Sequence, residues 1–381
     1  MKALEQRAIG SLAGAAVGDA LGGATEGRSP EQIKQRYGGY VTGIVGPFLP
    51  DWQTARPMSP YHKGDGHITD DTLMTNTIVK VYEAKRDHLD AYDMADLLVP
   101  LLMNEKVWIP ELEKETVALN RIFLAEKWLV TRLHYGHVDP REAGNGNVVN
   151  CGAAMYMAPV GIANATNPQG AYAEAIEIAG AHQLSYGREA AGVFAAAVAE
   201  AMRPGASVDD VIQASLSVAR DGTRSAIEAV AKAATTVDDW QSAIGVLREA
   251  IVPFDTVGPN YREPGLGARR PSRLHAIEEL PVALGMVIVA RGNYTDAVLG
   301  AINYGRDSDS IATMAGAICG AMHGIEAIPE EWRNTVARNS RLDLTATGRS
   351  MAGIAVEIRA KDRARHAASE AAFAEFEVAG A

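Results

Sequence analysis

Apolar residues recur at intervals of three and four along most of this chain, whereas the alternation typical of a strand is hard to find. The clearest run lies between Leu73 and Tyr82, where this spacing places one apolar stripe on a helix. The same spacing covers residues 170–183, 188–203, 207–219, 223–235, 238–250, 275–291, 295–303, 309–324 and 343–378. The pattern predicts an all-α fold.

The first predicted helix carries glycines at positions 10, 14, 18 and 22. Residues four apart share one face of a helix, so this strip lets a neighbouring helix approach closely. Glycines with this spacing also mediate helix dimerisation in membranes, but that requires a long apolar span. Arg7 and Asp19 bracket an apolar run that is too short. The strip therefore predicts close packing between two helices of a globular protein.

The charge balance is acidic, with 36 Lys and Arg against 47 Asp and Glu and a formal net charge of −11. This balance disfavours nonspecific binding to nucleic acid or to an anionic membrane. No leader peptide is recognisable, and no apolar run reaches the length of about 18 residues needed to span a bilayer. Cys151 and Cys319 lie among small or apolar residues, so we expect reduced, buried thiols. Together these features favour a cytoplasmic protein without nucleic-acid or membrane partners.

Three long segments have no periodicity: 38–67, 144–168 and 253–272. Loops of this length in a compact protein are usually functional or disordered. The third segment, with the residue that follows it, concentrates basic side chains in an otherwise acidic chain, at Arg262, Arg269, Arg270 and Arg273. We weigh two interpretations, a solvated basic loop and a flap that meets an anionic substrate.

Two short motifs place acids and hydroxyls where predicted helices begin, Thr69-Asp70-Asp71 and Asp307-Ser308-Asp309-Ser310. Helix capping would explain a single motif, because the N-terminus of a helix favours acids. Two motifs brought together would instead supply six hard oxygen ligands, which suit Mg²⁺ or Mn²⁺. These ligands are Thr69, Asp70, Asp71, Asp307, Asp309 and Ser310. Since clustered carboxylates repel one another, a divalent cation would neutralise them.

These motifs resemble those of the ADP-ribosylglycohydrolases. The similarity runs from GSLAGAAVGDALGGATEG through ITDDT to AVLGAINYGRDSDSIATMAGAICGAMHGIEAIPEEW, which ends at Trp332. The family pattern is GDALG with a following glutamate, Thr/Ser-Asp-Asp-Thr, GNG-x-x-M-R-x-x-P, a histidine in a helix and Asp-x-Asp-Thr/Ser. The resemblance implies one domain over 1–381, an orthogonal helical bundle with a metal site at one end. It covers residues 5–332, and 343–381 form a C-terminal helical extension.

Site roles follow from the resemblance residue by residue. It implies two Mg²⁺ or Mn²⁺ ions held by the six motif residues, with Glu26, Asp70 and Asp309 as catalytic groups. His182 matches the helical histidine near the ribose or pyrophosphate, although the sequence around it fits a satisfied helix histidine equally well. Asp19, the aspartate of GDALG, is expected mainly to support the loop beside the site.

Three features depart from the family pattern, and all lie where substrate should bind. Tyr156 in CGAAMYMAPVG stands where an arginine is usual, Arg306 stands where glycine is frequent, and the arginine-rich loop is long. We expect His182, Tyr156, Arg306, Asn150 and Gly152 to form the substrate-binding half of the site. The metal half therefore matches the family better than the recognition half.

The implied reaction is hydrolysis of the bond between the anomeric carbon of a ribose and a nitrogen or oxygen, with oxocarbenium-like character. Metal ions would orient the ribose hydroxyls, and Glu26 would activate water or act through the metals. The expected substrate is an ADP-ribosylated protein side chain. A small ribosylated metabolite, a noncatalytic ADP-ribose-binding role and a dinuclear phosphohydrolase are the alternatives, the last being least compatible with the scaffold.

Overall fold

The computed structural model describes residues 2–54, 62–255 and 275–379, and most of them are helical. The α-helices are α1 (Lys2–Gly22), α2 (Pro30–Tyr37), α3 (Asp70–Lys85), α4 (Ala91–Asp93), α5 (Val99–Asn104), α6 (Leu124–Val130), α7 (Ala158–Ala163), α8 (Pro168–Ala179), α9 (Ser185–Ala201), α10 (Val208–Val218), α11 (Asp221–Ala234), α12 (Trp240–Ile251), α13 (His275–Val289), α14 (Tyr294–Tyr304), α15 (Ser308–His323), α16 (Glu330–Ser340) and α17 (Ala346–Ala379). Short π-helical segments cover Met94–Leu98 and Thr131–Tyr135, and 3₁₀ turns cover Pro110–Leu112, Ala118–Asn120, Pro140–Glu142, Cys151–Ala153, Val252–Phe254 and Ile325–Ala327. The all-α prediction is confirmed, and each predicted helix is present.

The antiparallel pair α1 and α15 forms the centre of the molecule, and α1 is buried from Ala8 onward while α15 is buried over nearly all of its length. The glycine strip lies at their contact. A Cβ at Gly14 would be 2.3 Å from the carbonyl oxygen of Gly316, and one at Gly10 would be 2.2 Å from that of Gly320. The predicted close packing is therefore confirmed. It brings the last turn of α1 against the first turn of α15.

The other helices surround this pair. The alanine-rich α9 is largely buried and packs on α7, α8 and α10, while α13 contacts α11, α14 and α15. Helix α17 lies across α1, α3 and α7, and buries Met351, Ile354 and Ile358 there. The first half of the predicted C-terminal extension is thus packed on the main body. Within the described parts of the chain, no helix has both the length and the apolarity needed to cross a membrane.

Three local features differ from the sequence predictions. A small antiparallel hairpin pairs β1 (Lys106–Ile109) with β2 (Lys114–Val117), whose four-residue strands are too short to show clear alternation. The segment 144–168, predicted as irregular, contains a 3₁₀ turn and α7, each too short for helical periodicity to be visible. His182 lies in a turn beyond α8 rather than in a helix, because that helix ends at Ala179. The arginines of the predicted basic loop, 262 to 273, lie outside the described residues.

Candidate active site

The last turn of α1 touches the beginning of α3 through Asp19. Its carboxylate accepts hydrogen bonds from the backbone N–H of Thr69 at 2.9 Å and of Thr72 at 3.1 Å, and from the Thr69 hydroxyl at 2.5 Å. The hydroxyl of Thr72 donates to it as well. Asp19 thus supports the loop before α3, as the sequence comparison implied, and satisfies backbone donors at that helix end.

The capping explanation of the two acidic motifs does not hold in this fold. Thr69 and Asp307 occupy the N-cap positions of α3 and α15, but neither side chain makes a capping hydrogen bond. Asp71 and Asp309 lie in the first turn of their helices and are buried. The carboxylates are consequently available for contacts with one another.

Three carboxylates from different helices converge at this point. Asp19, Asp71 and Asp309 each offer an oxygen within 4.8 Å of the others, and all three are buried. Burial raises the pKa of Asp71 and of Asp309 well above the usual range, and repulsion from neighbouring aspartates adds to the effect. Burial also raises the pKa of Asp19, to about 6, although the bonds from Thr69 and Thr72 oppose it.

The donor set fits a hard divalent cation. The Oδ1 atom of Asp71 is buried and has no hydrogen-bond partner among the described residues. Carboxylate oxygens are the ligands that Mg²⁺ and Mn²⁺ prefer, and a cation would relieve the repulsion that raises these pKa values. The cluster is therefore a candidate metal site.

The remaining predicted ligands surround this cluster. Asp70 accepts a hydrogen bond from Arg121 at 3.0 Å, and its charge raises the pKa of Asp71 and Asp309. Ser310 hydrogen-bonds Asp71 and lowers its pKa slightly against these effects. The charge of Asp307 also raises the pKa of Asp71, and the Thr69 hydroxyl donates to Asp19. The structure thus brings all six motif residues to one region.

Glu26 lies beside Asp309, in the turn after α1, and is 5% exposed. Its carboxylate contacts Nε2 of His62, which lies 4.0 Å from Oδ2 of Asp309. Behind His62 are Glu111, which is buried, and Arg121, whose side chain is 9% exposed. Sequence reasoning missed these three residues. His62 lay in a segment flagged as functional by its length, whereas nothing in the sequence indicated Glu111 or Arg121.

The segment with Asn150 and Gly152 adjoins the acidic cluster through Cys151. The Cys151 thiol donates to Oδ2 of Asp307 at 3.1 Å, and burial keeps the pKa of this thiol well above its usual value. Asn150 caps the 3₁₀ turn by accepting from the N–H of Gly152 at 3.1 Å. A Cβ at Gly152 would be 2.7 Å from Oε1 of Glu126, so a larger residue there would displace the end of that side chain. Both cysteines are free and buried, as predicted.

Tyr156 and His182 form a stacked pair in the interior. The Tyr156 hydroxyl lies 3.0 Å from Nδ1 of His182, and neither side chain is exposed to solvent. Nε2 of His182 lies 3.3 Å from a carboxylate oxygen of the buried Glu126. The two residues are thus held together through Nδ1, while Nε2 of His182 is buried near Glu126 without a hydrogen bond among the described residues.

Arg306 is held by acidic residues from other elements. Its Nε donates to Glu278 at 2.7 Å, and its guanidinium lies 3.4 Å from Asp255. Glu278 also accepts a hydrogen bond from Tyr304 at 2.7 Å and from Arg248 at 2.7 Å. Arg306 is therefore part of a buried ionic network beside the first turn of α15.

Fold and site together define a class of protein: an all-α bundle in which buried carboxylates from three helices converge beside a buried glutamate. A sequence model described as ADP-ribosylglycohydrolase matches residues 1–365. The chain belongs to the ADP-ribosylglycohydrolase family, and is accordingly a hydrolase of glycosidic linkages to ADP-ribose.

Individual proteins resemble it over most of its length or over a short part of it. The ADP-ribosylarginine hydrolase Tri1 of Pseudomonas putida is 24% identical over 343 residues, which are 89% of this chain and 76% of that protein. YegU of Escherichia coli is 24% identical over 349 residues, covering 91% of this chain and 96% of YegU. The ADP-ribosylhydrolase ARH3 of Bos taurus is 47% identical over 45 residues, 12% of each chain. A solved ADP-ribosylglycohydrolase-related protein complex has the same fold, with a TM-score of 0.61, 20% identity, and coverage of 93% of this chain and 100% of that one.

Proposed function

We propose that this protein removes ADP-ribose from a modified protein side chain, with ADP-ribosylarginine as the first candidate, in a reaction that requires two Mg²⁺ or Mn²⁺ ions. The observation that carries the proposal is the convergence of Asp71 and Asp309 beside Asp19, with Oδ1 of Asp71 buried and without a hydrogen-bond partner among the described residues. The choice of arginine rests on the similarity to a bacterial ADP-ribosylarginine hydrolase over most of the chain.

The metal ligands in this proposal are the six residues of the two motifs. Thr69, Asp70 and Asp71 come from the start of α3, and Asp307, Asp309 and Ser310 from the start of α15. Divalent ions bound there would supply Lewis-acid stabilisation and fix the ribose hydroxyls. Asp19 would hold the Thr69 loop in place through its hydrogen bonds rather than ligate.

Glu26 is the group that handles the proton in this proposal. It lies beside Asp309 at the edge of the acidic cluster and is nearly buried, so a water between it and the anomeric carbon is shielded from bulk solvent. An ionised carboxylate accepts a proton from that water as the water attacks, a contribution of typically about 10²–10⁴-fold in rate. The substrate guanidinium leaves as neutral guanidine with the electrons of the broken carbon–nitrogen bond, and the proton held by Glu26 then passes to it, which restores the carboxylate.

A second candidate substrate is a smaller N-riboside, and the recognition half of the site favours it. Tyr156 replaces the usual arginine and is fully buried against His182, while Arg306 is engaged by Glu278 and Asp255. Neither residue therefore presents a cation that could neutralise a pyrophosphate. This arrangement is consistent with a ligand that carries less negative charge.

A substrate panel tests the proposal. Peptides ADP-ribosylated on arginine or on serine, free ADP-ribose and a set of nucleosides would each be incubated with the protein and Mg²⁺ or Mn²⁺, and released ribosyl products would be quantified. We expect the highest kcat/KM for the arginine peptide. Cleavage of nucleosides with no release from either peptide would favour the small riboside, and no cleavage of any substrate would contradict both.

A further inference from the structure

A chain of buried polar side chains lies behind Glu26. His62 contacts Glu26 through Nε2, and its other ring nitrogen, Nδ1, lies 3.2 Å from Nη2 of Arg121. The same Nη2 donates to Glu111 at 3.0 Å, and Nη1 donates to Asp70 at 3.0 Å. The side chains of His62, Arg121 and Glu111 are at most 9% exposed. One guanidinium therefore connects a proposed metal ligand to the partner of the proposed base.

The contact with Arg121 determines which ring nitrogen of His62 carries the hydrogen. A guanidinium has donors and no acceptor, so Nδ1 of His62 must accept from it. Glu111 does not compete for Nδ1, since its oxygen is 3.9 Å away, beyond hydrogen-bond distance. The hydrogen is consequently on Nε2, which faces the carboxylate of Glu26. His62 is the donor in that contact.

Resting on the proposed function, we infer that His62 is a positioning residue for the hydrolysis: it orients the Glu26 carboxylate by donating from Nε2, and Arg121 fixes it in that tautomer. Glu111 balances the charge of Arg121, because either charge left without its partner in this position would destabilise the fold. Arg121 also binds Asp70, the first residue of α3. It therefore fixes the position of Glu26 relative to the start of that helix. Second-layer contacts of this type typically change activity by about 10–100-fold when removed.

The alternative role for His62 is metal ligation, since Glu26, His62 and Asp309 offer ligand atoms within 4.8 Å of one another. Ligation would require a lone pair on Nε2, which is the nitrogen that carries the hydrogen in the tautomer set by Arg121. The two roles differ in what a substitution does to metal affinity. A ligand would lower it when removed, whereas a positioning residue would leave it nearly unchanged.

Kinetics of paired variants test the role in catalysis. His62→Leu removes the donor, and we expect kcat to fall about 10–100-fold toward the value of Glu26→Gln while KM and the Mn²⁺ dissociation constant change less than about twofold. His62→Gln carries an amide N–H where Nε2 was, and should recover most of kcat. His67→Gln, in the same segment but bonded to the carbonyl of Gly64, is the control and should match the parent.

The tautomer is tested without any substrate. In a protein with ¹⁵N-labelled histidine, two-bond nitrogen–proton spectra should assign the hydrogen of His62 to Nε2, with the signal identified by its loss in His62→Gln. Arg121→Met combined with Glu111→Gln removes both charges together, so Nδ1 no longer has to accept, and the signal of a hydrogen on Nδ1 should then appear.

Several results would overturn the inference. A parent protein with Nδ1–H, equal kcat in His62→Leu and parent, or a large loss of Mn²⁺ affinity in both His62 variants would each do so. An inactive parent that shows the Nε2–H tautomer would contradict the proposed function instead.

Discussion

Asp71 and Asp309 are buried carboxylates that repel one another, and this repulsion opposes folding. Two unit charges about 4 Å apart interact by about 1 kcal/mol in water and about 4 kcal/mol at an effective dielectric of 20. The favourable interaction of one acid with a helix N-terminus is about 0.3–1 kcal/mol, so it does not compensate. The protein without metal should therefore be less stable than a variant with one acid fewer.

Asp309→Asn tests this at the level of a single residue. Because folding raises the pKa of Asp309, the ionised form is disfavoured in the folded protein. The penalty is absent below the unfolded pKa of about 3.9, grows as the pH rises above it, and is complete above the folded pKa. At pH 8 in chelator we expect the variant to be about 1–4 kcal/mol more stable than the parent to urea. With Mg²⁺ or Mn²⁺ the parent should gain stability and the variant should not.

A matched control is Asp296→Asn, which removes an exposed acid from the first turn of α14. It loses a favourable helix-end interaction without relieving repulsion, so it should be slightly less stable than the parent. If Asp309→Asn were also destabilised in chelator, Asp309 would be stabilising the apo fold and the repulsion argument would fail.

At the scale of elements, the contact between α1 and α15 positions the site, because it sets the end of one helix against the start of the other. A Cβ at Gly22 would lie 2.4 Å from Cα of Asp309, so the backbones touch where the carboxylates converge. This contact leaves no freedom for rotamer adjustment, since the neighbouring atoms are backbone. The glycine strip is thus a condition for the site as well as for the core.

Gly14→Ala should disrupt this helix pair. Its Cβ would be 2.3 Å from a backbone oxygen, and overpacking typically costs about 1–3 kcal/mol or more, which exceeds the gain of about 1 kcal/mol from helix propensity. We expect a net loss in the free energy of unfolding, measured with urea. Gly245→Ala, a helical glycine with open space around its Cβ, should instead gain about 0.5–1 kcal/mol. Equal stability of the two variants would contradict the packing argument.

A partly exposed histidine, His88, joins the segment after α3 to α8 and α17. Nδ1 of His88 lies 2.5 Å from Glu174 on α8, and Nε2 lies 3.2 Å from Asp362 on α17. The hydrogen bond to Glu174 is the main cause that raises the pKa of His88 to about 9, against partial desolvation. Tyr82 donates to the same Glu174 at 2.7 Å.

The contact between His88 and Glu174 predicts that the stability of the protein depends on pH. A histidine with a raised folded pKa stabilises fully below its unfolded pKa of about 6.5, and the contribution is lost as pH rises through about 9. His88→Asn should therefore be less stable than the parent by about 1–2 kcal/mol at pH 6, with the difference shrinking by pH 9.5. Urea unfolding at both pH values measures it, with exposed His134→Asn as the control. A difference that grows with pH would contradict the assignment.

At the scale of the molecule, the fold joins residues that are up to 290 positions apart (19, 71 and 309) in one cluster. The two acidic motifs and the glycine strip were predictable, because each is a short pattern with a local physical meaning. Helical periodicity likewise gave the all-α class and the longest helices, although α16 was not predicted. Asp19 was assigned to loop support, and its hydrogen bonds to Thr69 agree with that role.

The layer behind the cluster was not predictable. His62, Glu111 and Arg121 lie in short or irregular segments, and their roles depend on contacts between elements that no local pattern encodes. Arg306 had a positive charge suited to an anionic substrate, but whether an arginine faces a ligand or a carboxylate is decided by its neighbours. Here those neighbours are Glu278 and Asp255.

The central claim is that the converging carboxylates form the metal centre of an ADP-ribosyl hydrolase. The most direct test is the rate of ADP-ribose release from an ADP-ribosylated arginine peptide by metal-stripped protein as Mn²⁺ is titrated in. We predict no release above the uncatalysed rate in excess chelator, and a rate that rises with Mn²⁺ and saturates when two ions are bound per chain. A full rate retained in excess chelator would contradict the claim.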